Sequence, residues 1–420
     1  AKGRPDKGPV WRGGARREIS SMAGWRLRAF RACAGALLFA LALAGASLAA
    51  AAQRIPDDLA ARLNERQIAT YRAYLAARAP FDRRLDAYWA EVDTLREGRR
   101  RKRAGGVPLA AADYVSEHPP QYEGPPMPAD VAKIIADLRP PKPDTEIAGL
   151  HDFLAAAKSE YGYVPAAVAE REFKRRYALE ALRVGLSKAQ VIDVYSLETG
   201  GRGVYDMQAG IDPETRKGRP ISTALGYAQL LAGNSVNEVA KHGGTFINRL
   251  EDMARARGVS PGRAAYLKRK AATVRKMVRA AKSVPYQWGR HVALGNTPRG
   301  QGIHALNLDP DIGPWLQVIK LRGVLDHGLH AGRTSLSGPE LELMNLAGPG
   351  TGLEMMTPIG RRMPTTNFFT RAAYGRNTIV REKNGAELLA ALEQRMRINE
   401  KRAGAVEFAR IFDEIARDRR

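Results

Sequence analysis

Cysteine is almost absent: Cys33 is the only one in 420 residues, and it lies inside a continuous apolar run. A chain matured by removal of that run carries no thiol, which excludes a disulfide framework and a cysteine nucleophile. No Leu-x-Gly-Cys pattern ends at Cys33, so a lipid-anchored lipoprotein is not expected. Aromatic residues are scarce at 7 %, whereas Ala and Arg abound, a balance that favours helix. No strand-rich block, heptad array or internal repeat breaks that pattern. Metal and nucleotide chemistry also lack their residues. Asp326-His327-Gly-Leu-His330 is the only pair with metal-like spacing; Gly328 weakens it as a ligand helix, and no third ligand set is evident. Gly348-Pro-Gly-Thr-Gly352 has no phosphate-binding lysine and follows no strand. No cofactor and no metal are expected, and the expected fold class is mainly α.

Acidic residues are the other deficit. The 67 Lys and Arg outnumber the 44 Asp and Glu, for a formal charge of +23. Residues 1–52 hold nine basic and two acidic residues, so +16 remains on residues 53–420. Three arginines between Trp25 and Arg31 precede the apolar run Ala32–Ala52, which ends in small residues. That is the layout of an export signal starting near Met22, with cleavage expected among Ala49 to Ala52. The run is also long enough to span a bilayer, so an uncleaved inner-membrane anchor is the alternative. Residues 1–21 read as an over-extended start. The expected location is the periplasm or cell envelope, where a basic surface meets anionic polymers and lipid headgroups rather than nucleic acid. The plainer reading is that Arg simply serves as the solvated surface residue.

Along the chain, apolar residues at helical spacing from Leu59 to Leu95 predict a helical segment over 53–105, as two helices broken at Pro80. Residues 106–146, dense in proline, read as a semi-extended linker with one short helix at Ala129–Leu138. A main domain is expected over 147–376, and a C-terminal helical extension over 377–420. Within the domain, helices are expected over 147–159, 166–184, 188–199, 236–256, 260–283, 312–329, 338–347 and 371–376. Residues 289–314, with several glycines, read as loop, and so does the polar stretch Asp206–Pro220, unless it forms a short hairpin.

One carboxylate stands where a helix gives way to glycines. Ser187 and Gln190 form a capping box, the helix runs from Lys188 to Thr199, and Gly200-Gly201 stops it. Glu198 therefore sits in the last turn, at the negative end of the helix dipole, where ionisation is disfavoured and the pKa rises. Tyr195, Leu197 and Tyr227 are candidates for an apolar wall that keeps the carboxyl protonated near neutral pH. Gln229 and Asn345 each offer an amide able to bond an N-acetyl group. Cleaving a glycosidic bond needs such a proton donor and such stabilisation. Glu198 alone would more often be a helix residue paired with an arginine; the order of the segments around it tips the balance to catalysis.

Those segments are Glu198-Thr199-Gly200, Gly226-Tyr227-Ala228-Gln229 and Met344-Asn345-Leu-Ala-Gly348-Pro-Gly350. In order and helix context they resemble the motifs of bacterial lytic transglycosylases of the soluble type, relatives of goose-type lysozymes, over roughly residues 150–360. Those motifs read Glu-Ser with a following glycine or aromatic, Gly-Leu-Met-Gln, and Ala-Tyr-Asn-Ala-Gly-Pro-Gly. The resemblance implies a lysozyme-like helical domain, Glu198 as single acid and base, and substrate contacts from Gly226, Tyr227, Gln229, Met344, Asn345 and Gly348. It implies cleavage between N-acetylmuramic acid and N-acetylglucosamine in peptidoglycan glycan strands, with a 1,6-anhydro product and no second carboxylate. Two features depart from the family. The Glu-to-Gln interval is lengthened by the 206–220 loop, and the tyrosine of the third motif is missing, with Tyr227 or Tyr374 as stand-ins. If Asp206 or Asp212 reaches the opposite face of the sugar, hydrolysis is the expected outcome instead. The alternative to an enzyme is a non-catalytic envelope protein that keeps a degenerate lysozyme-like domain for holding glycan.

Overall fold

The structure is a computed structural model describing residues 55–139 and 146–418. The run expected as signal or anchor lies outside the described residues. Among these, no helix is long and apolar enough to cross a membrane. The described chain is mainly helical, with isolated β-bridges and no extended strand. The described residues divide into two compact units, one of 55–84 plus 121–139, the other of 85–120 plus 146–418.

In the smaller unit, α1 (Asp57–Ala60), the first part of α2 (Glu65–Ala104) and α3 (Ala129–Leu138) enclose Ile55, Leu59, Leu63, Tyr71 and Val131. Gln67 Nε2 donates to Asp130 Oδ2 at 3.0 Å, tying α2 to α3. The break expected at Pro80 does not occur, because α2 runs through it. Proline removes one backbone donor, to the Ala76 carbonyl, and the strong helix formers around it, Ala76, Ala77, Arg78 and Ala79, carry the turn across. The short helix expected at Ala129–Leu138 has those bounds.

The linker expectation fails for residues 107–120, which pack in the larger unit. Tyr114 and Val115 are buried there. Asn367 holds the Val115 backbone from both sides, accepting from its N–H at 2.9 Å and donating to its carbonyl at 2.8 Å. Extended proline-rich backbone forms no bonds of its own, so an asparagine with one donor and one acceptor edge satisfies it like a neighbouring strand.

The remaining helices of the larger unit are α4 (Leu150–Tyr161), α5 (Glu170–Arg183), α6 (Lys188–Thr199), α7 (Ala232–Arg255), α8 (Pro261–Ala281), α9 (Trp288–Gly295) and α10 (Pro298–His304). They continue as α11 (Gly313–His330), α12 (Gly338–Ala347), α13 (Pro349–Met355), α14 (Arg371–Arg376), α15 (Gly385–Asn399) and α16 (Ala403–Asp418). Residues 289–314, expected as loop, are instead largely helical. Thr297 caps α10 ahead of Pro298, and the glycines permit contact: a methyl group on Gly300 would collide with the Leu294 carbonyl, and one on Gly302 with the Tyr161 ring.

Two cores result. One gathers α5, α6, α12, α15 and α16; the other gathers α4, α7, α8 and α10. Helix α11 belongs to both, through Trp315 and Leu316 to the second and Val318, Leu321 and Val324 to the first. The turn 225–230 does the same, sending Tyr227 one way and Leu225 and Leu230 the other. The C-terminal helices are therefore part of the domain core rather than an extension. The reason is the one-sided pattern of α16, which buries Phe408, Ile411, Phe412 and Ile415 against α5 and α6.

Beneath the second core lies an ionic cluster. Lys270 of α8 reaches Asp311 at 2.6 Å and Asp309 at 2.9 Å, and Tyr163 donates to Asp309. Arg176 adds a 2.9 Å bond to Asp311. Burial opposes charge on Lys270, but the two carboxylates outweigh it and leave its pKa above the ordinary value. Burial likewise opposes charge on Asp311, but Lys270 and Arg263 outweigh it and hold that carboxyl below its usual range.

Candidate active site

Helix α6 begins and ends on local chemistry. Ser187 Oγ accepts from the Gln190 N–H, and Gln190 Oε1 accepts from the Ser187 N–H at 2.9 Å. At the other end Gly200 is left-handed, with φ 62°. Gly201 (φ 70°) lets the Asn399 carbonyl approach so closely that a Cβ would collide with it. Asn399 Nδ2 then donates to the Ser196 carbonyl at 2.9 Å, occupying one of the acceptors that a helix end leaves open. The last turn of α6, with Glu198 in it, is thereby pinned by α15.

Glu198 faces the C-terminal end of α12. Asn345 Nδ2 lies 3.4 Å from Glu198 Oε1, and 3.3 and 3.4 Å from the two oxygens of Glu342. Glu342 and Asn345, three apart, share one face of α12. Lys320 of α11 donates to Asn345 Oδ1 at 2.6 Å, which orients the amide so that its N–H₂ points at the carboxylates. Glu342 is only 4 % exposed, while Glu198 is half-buried.

The Asn345 amide thus bridges the two carboxyls, and each shifts the pKa of the other. Burial raises the pKa of Glu198, with Lys320 and the hydrogen bond from Glu342 pulling the other way. Burial and the neighbouring Glu198 charge push Glu342 far above the usual carboxyl range. Two carboxylates in contact cannot both ionise cheaply, so the pair keeps a proton through the pH range where an ordinary glutamate has lost it.

Other groups surround this pair. Tyr177 of α5 is buried, and burial together with the Glu198 charge raises its hydroxyl pKa. Glu238 of α7, its pKa raised by burial and lowered in part by Lys241 and Lys320, lies 3.6 Å from His242 Nε2. Lys320 thus has carboxylates from α6, α7 and α12 within electrostatic reach.

Of the residues expected in the site, Glu198 and Asn345 come together. Gly348 (φ 86°) joins α12 to α13 with open space where a Cβ would stand. Gly226 (φ 78°) and Gln229 (φ 40°) shape the turn closed by Leu225 and Leu230, which exchange backbone bonds of 3.0 Å. Gly226 lies against the Gln317 side chain, whose Oε1 accepts from the Ala228 N–H at 3.1 Å. Gln229 donates from Nε2 to the Gly226 carbonyl at 2.7 Å, so its amide nitrogen serves the turn.

Tyr227 and Met344 are core residues, in place of the substrate contacts expected of them. Tyr227 is 1 % exposed, packs on Phe173, Tyr177, Tyr195 and Phe408, and donates its hydroxyl to Glu170. Met344 is fully buried on the inward face of α12. Neither expected tyrosine stands in for the missing one: Tyr374 packs on Trp89 and its hydroxyl accepts from the Glu382 N–H at 2.9 Å. Tyr177 is the tyrosine beside Glu198. Asp206 and Asp212 serve their own loop, Asp206 through Arg216 at 2.8 Å and Asp212 by accepting from the Thr215 N–H at 2.8 Å.

Glu342, Lys320, Tyr177 and Glu238 escape sequence reading. Glu342 lies three residues before Asn345 on a helix whose other carboxylate, Glu340, caps its start. A Ser–His pair elsewhere, Ser235 Oγ with His304 Nδ1 at 2.8 Å, is a core network. Both side chains are fully buried, and burial pushes His304 down to about 4, so the ring is neutral and bonds Thr223 through Nε2.

Among the described residues no group of three His, Cys, Asp or Glu is arranged to hold a metal ion. Compared with family models, curated proteins and solved structures, the chain matches none.

Proposed function

We propose that the protein is a lysozyme-like lytic transglycosylase that cleaves peptidoglycan between N-acetylmuramic acid and N-acetylglucosamine, with Glu198 as acid and base. The observation that carries this reading is Glu198 at a glycine-terminated helix end, with the Asn345 amide bridging it to Glu342 and the Lys320 ammonium orienting that amide. A carboxyl whose pKa burial raises above the usual range is what protonation of a poor sugar leaving group requires.

In the first step Glu198 gives its proton to the glycosidic oxygen as the C1–O bond breaks, its electron pair going to that oxygen. The acetamido carbonyl of the muramoyl residue closes on C1 and stabilises the cationic centre. In the second step the C6 hydroxyl oxygen attacks C1, the acetamido oxygen leaves, and Glu198 takes the hydroxyl proton. Lys320 and the Asn345 amide stabilise the carboxylate between the two steps, and burial keeps the affinity of Glu198 for the returning proton high. Gln229 presents its amide oxygen, its nitrogen being occupied, to an N-acetyl N–H. The basic surface would hold the anionic wall, consistent with the proposed periplasmic or envelope location.

Incubation of purified sacculi with the protein and with Glu198→Gln tests the proposal. Anhydro-muropeptides are expected from the first alone; equal release by both would sink it. Reducing ends in place of anhydro ends would assign a hydrolase with the same acid.

One observation favours a second reading. The family tyrosine is absent, and Asn345 is already bonded on both sides by the site's own residues, which suits a glycan-holding domain without turnover. Sacculus binding without digestion at any pH is its signature.

A further inference from the structure

Away from Glu198, the larger unit contains a cavity of about 1000 Å³ between the end of α2, α11 and α13. We propose that this cavity is a binding site for an organic carboxylate carried on an apolar body, such as a short peptide with a free C-terminus or a fatty acid.

Its charge is one-sided. Arg100, Arg103 and Arg333 line it, and Glu354 is the one acidic residue among its lining residues. That carboxylate is already engaged twice, by Arg99 Nε at 2.6 Å and by Arg103. Arg99 in turn donates to the carbonyls of Asp113 and Asn367, so its remaining hydrogen-bonding capacity is committed to the protein. Arg100 meets only a distant Glu97, at 3.5 Å and with both side chains well exposed. Arg333 is paired with Glu340 at 2.6 Å, which leaves Arg100 as the lining guanidinium without a close carboxylate, beside an Arg103 that shares Glu354 with Arg99. The crowding is felt at Arg103, whose pKa is lowered by burial and then by the Arg99 and Arg100 charges. A ligand carboxylate would relieve it, and planar guanidinium forks bind carboxylates in two-pronged fashion.

The walls are apolar. Leu109, Leu353 and Ile359 line them, each half-buried and packed on the first core while leaving a face to the cavity. A simple inorganic anion would gain nothing from that surface, whereas a side chain or acyl chain would be desolvated there. His327 closes one side next to Gly350, where a methyl group would lie 4.0 Å from its Nε2.

Calorimetric titration of the full chain with an N-acetylated tetrapeptide acid, with laurate and with inorganic phosphate tests the site. Binding of the peptide or of laurate, with phosphate silent, is expected, and the binder of the two identifies the source. Arg100→Glu, a change at an exposed helix position, should weaken that binding at least tenfold with unchanged circular dichroism. Leu109→Asp should weaken it through the apolar wall. The proposal is overturned if neither organic acid binds below millimolar concentration, if phosphate binds as tightly as they do, or if both variants bind like the parent chain.

Discussion

Asn345 and Glu198, 147 residues apart in sequence, meet at 3.4 Å through Nδ2 and Oε1, and the Lys320 ammonium fixes which way that amide faces. The contact joins the ends of α6 and α12 and sets a donor against the carboxylate that the proposed chemistry uses twice.

If Glu198 carries the proton, Glu198→Gln should lower muropeptide release at least about a hundredfold, in the usual range for loss of a general acid. The fold should survive, because glutamine is isosteric and can still bond Asn345. Release is read by chromatography and mass spectrometry, with circular dichroism as the control for folding.

Glu342→Leu and Lys320→Met should both move the alkaline limb of the pH–rate profile to higher pH. The Lys320 cation and the hydrogen bond from Glu342 each lower the Glu198 pKa, so loss of either partner should carry the limb upward. A downward shift in either variant would contradict the arrangement around Glu198.

Glu342 also has a stability signature. Its folded pKa is raised, so its own contribution is most favourable below the unfolded value and is lost as pH rises through the folded value. Glu342→Gln should therefore raise the melting temperature at pH 8, by roughly 2–4 °C for each kcal/mol relieved, and leave it nearly unchanged at pH 4. An equal shift at both pH values would show a packing effect instead.

Lys270→Met should destabilise the fold by about 3–5 kcal/mol, since it leaves buried Asp309 without its cation and Asp311 with only Arg176 and Arg263. The Asp311 pKa is depressed, so its contribution is present above the unfolded carboxyl pKa and is lost as pH falls through the lower folded one. Acid denaturation of the parent chain should thus start below the ordinary carboxyl range, and in the variant at higher pH. Urea titrations across pH 2 to 6 measure both.

Tyr177→Phe removes a hydroxyl near Glu198 without opening a cavity. If Tyr177 only packs, release of muropeptides should match the parent chain. A loss of about tenfold or more in kcat, with folding intact, would place its hydroxyl among the groups that act on the substrate.

The parts legible in the sequence are those determined within a turn or two of chain. Ser187 with Gln190 and Gly200 set the bounds of α6, Ser260 with Pro261 opened α8, and Ser337 capped α12. Caps and left-handed glycines act through bonds three or four residues long, so a reader of the chain can see both partners. Pro80 and the glycine-rich 289–314 misled because they were read by local preference, which packing overrides: α2 continues past the proline, and Gly300 and Gly302 turn out to be points of close helix contact.

The pattern of apolar residues by itself determined a mainly helical chain and placed Glu198 at a helix end. Only the tertiary structure decided that Glu342, Lys320 and Tyr177 surround that carboxyl, that Tyr227 and Met344 turn inward, and that α16 belongs to the core. The physical reason is that electrostatic coupling and burial depend on which helices lie side by side, and helix neighbours such as α6 and α12 are chosen by the summed packing of their apolar faces rather than by any short stretch of sequence.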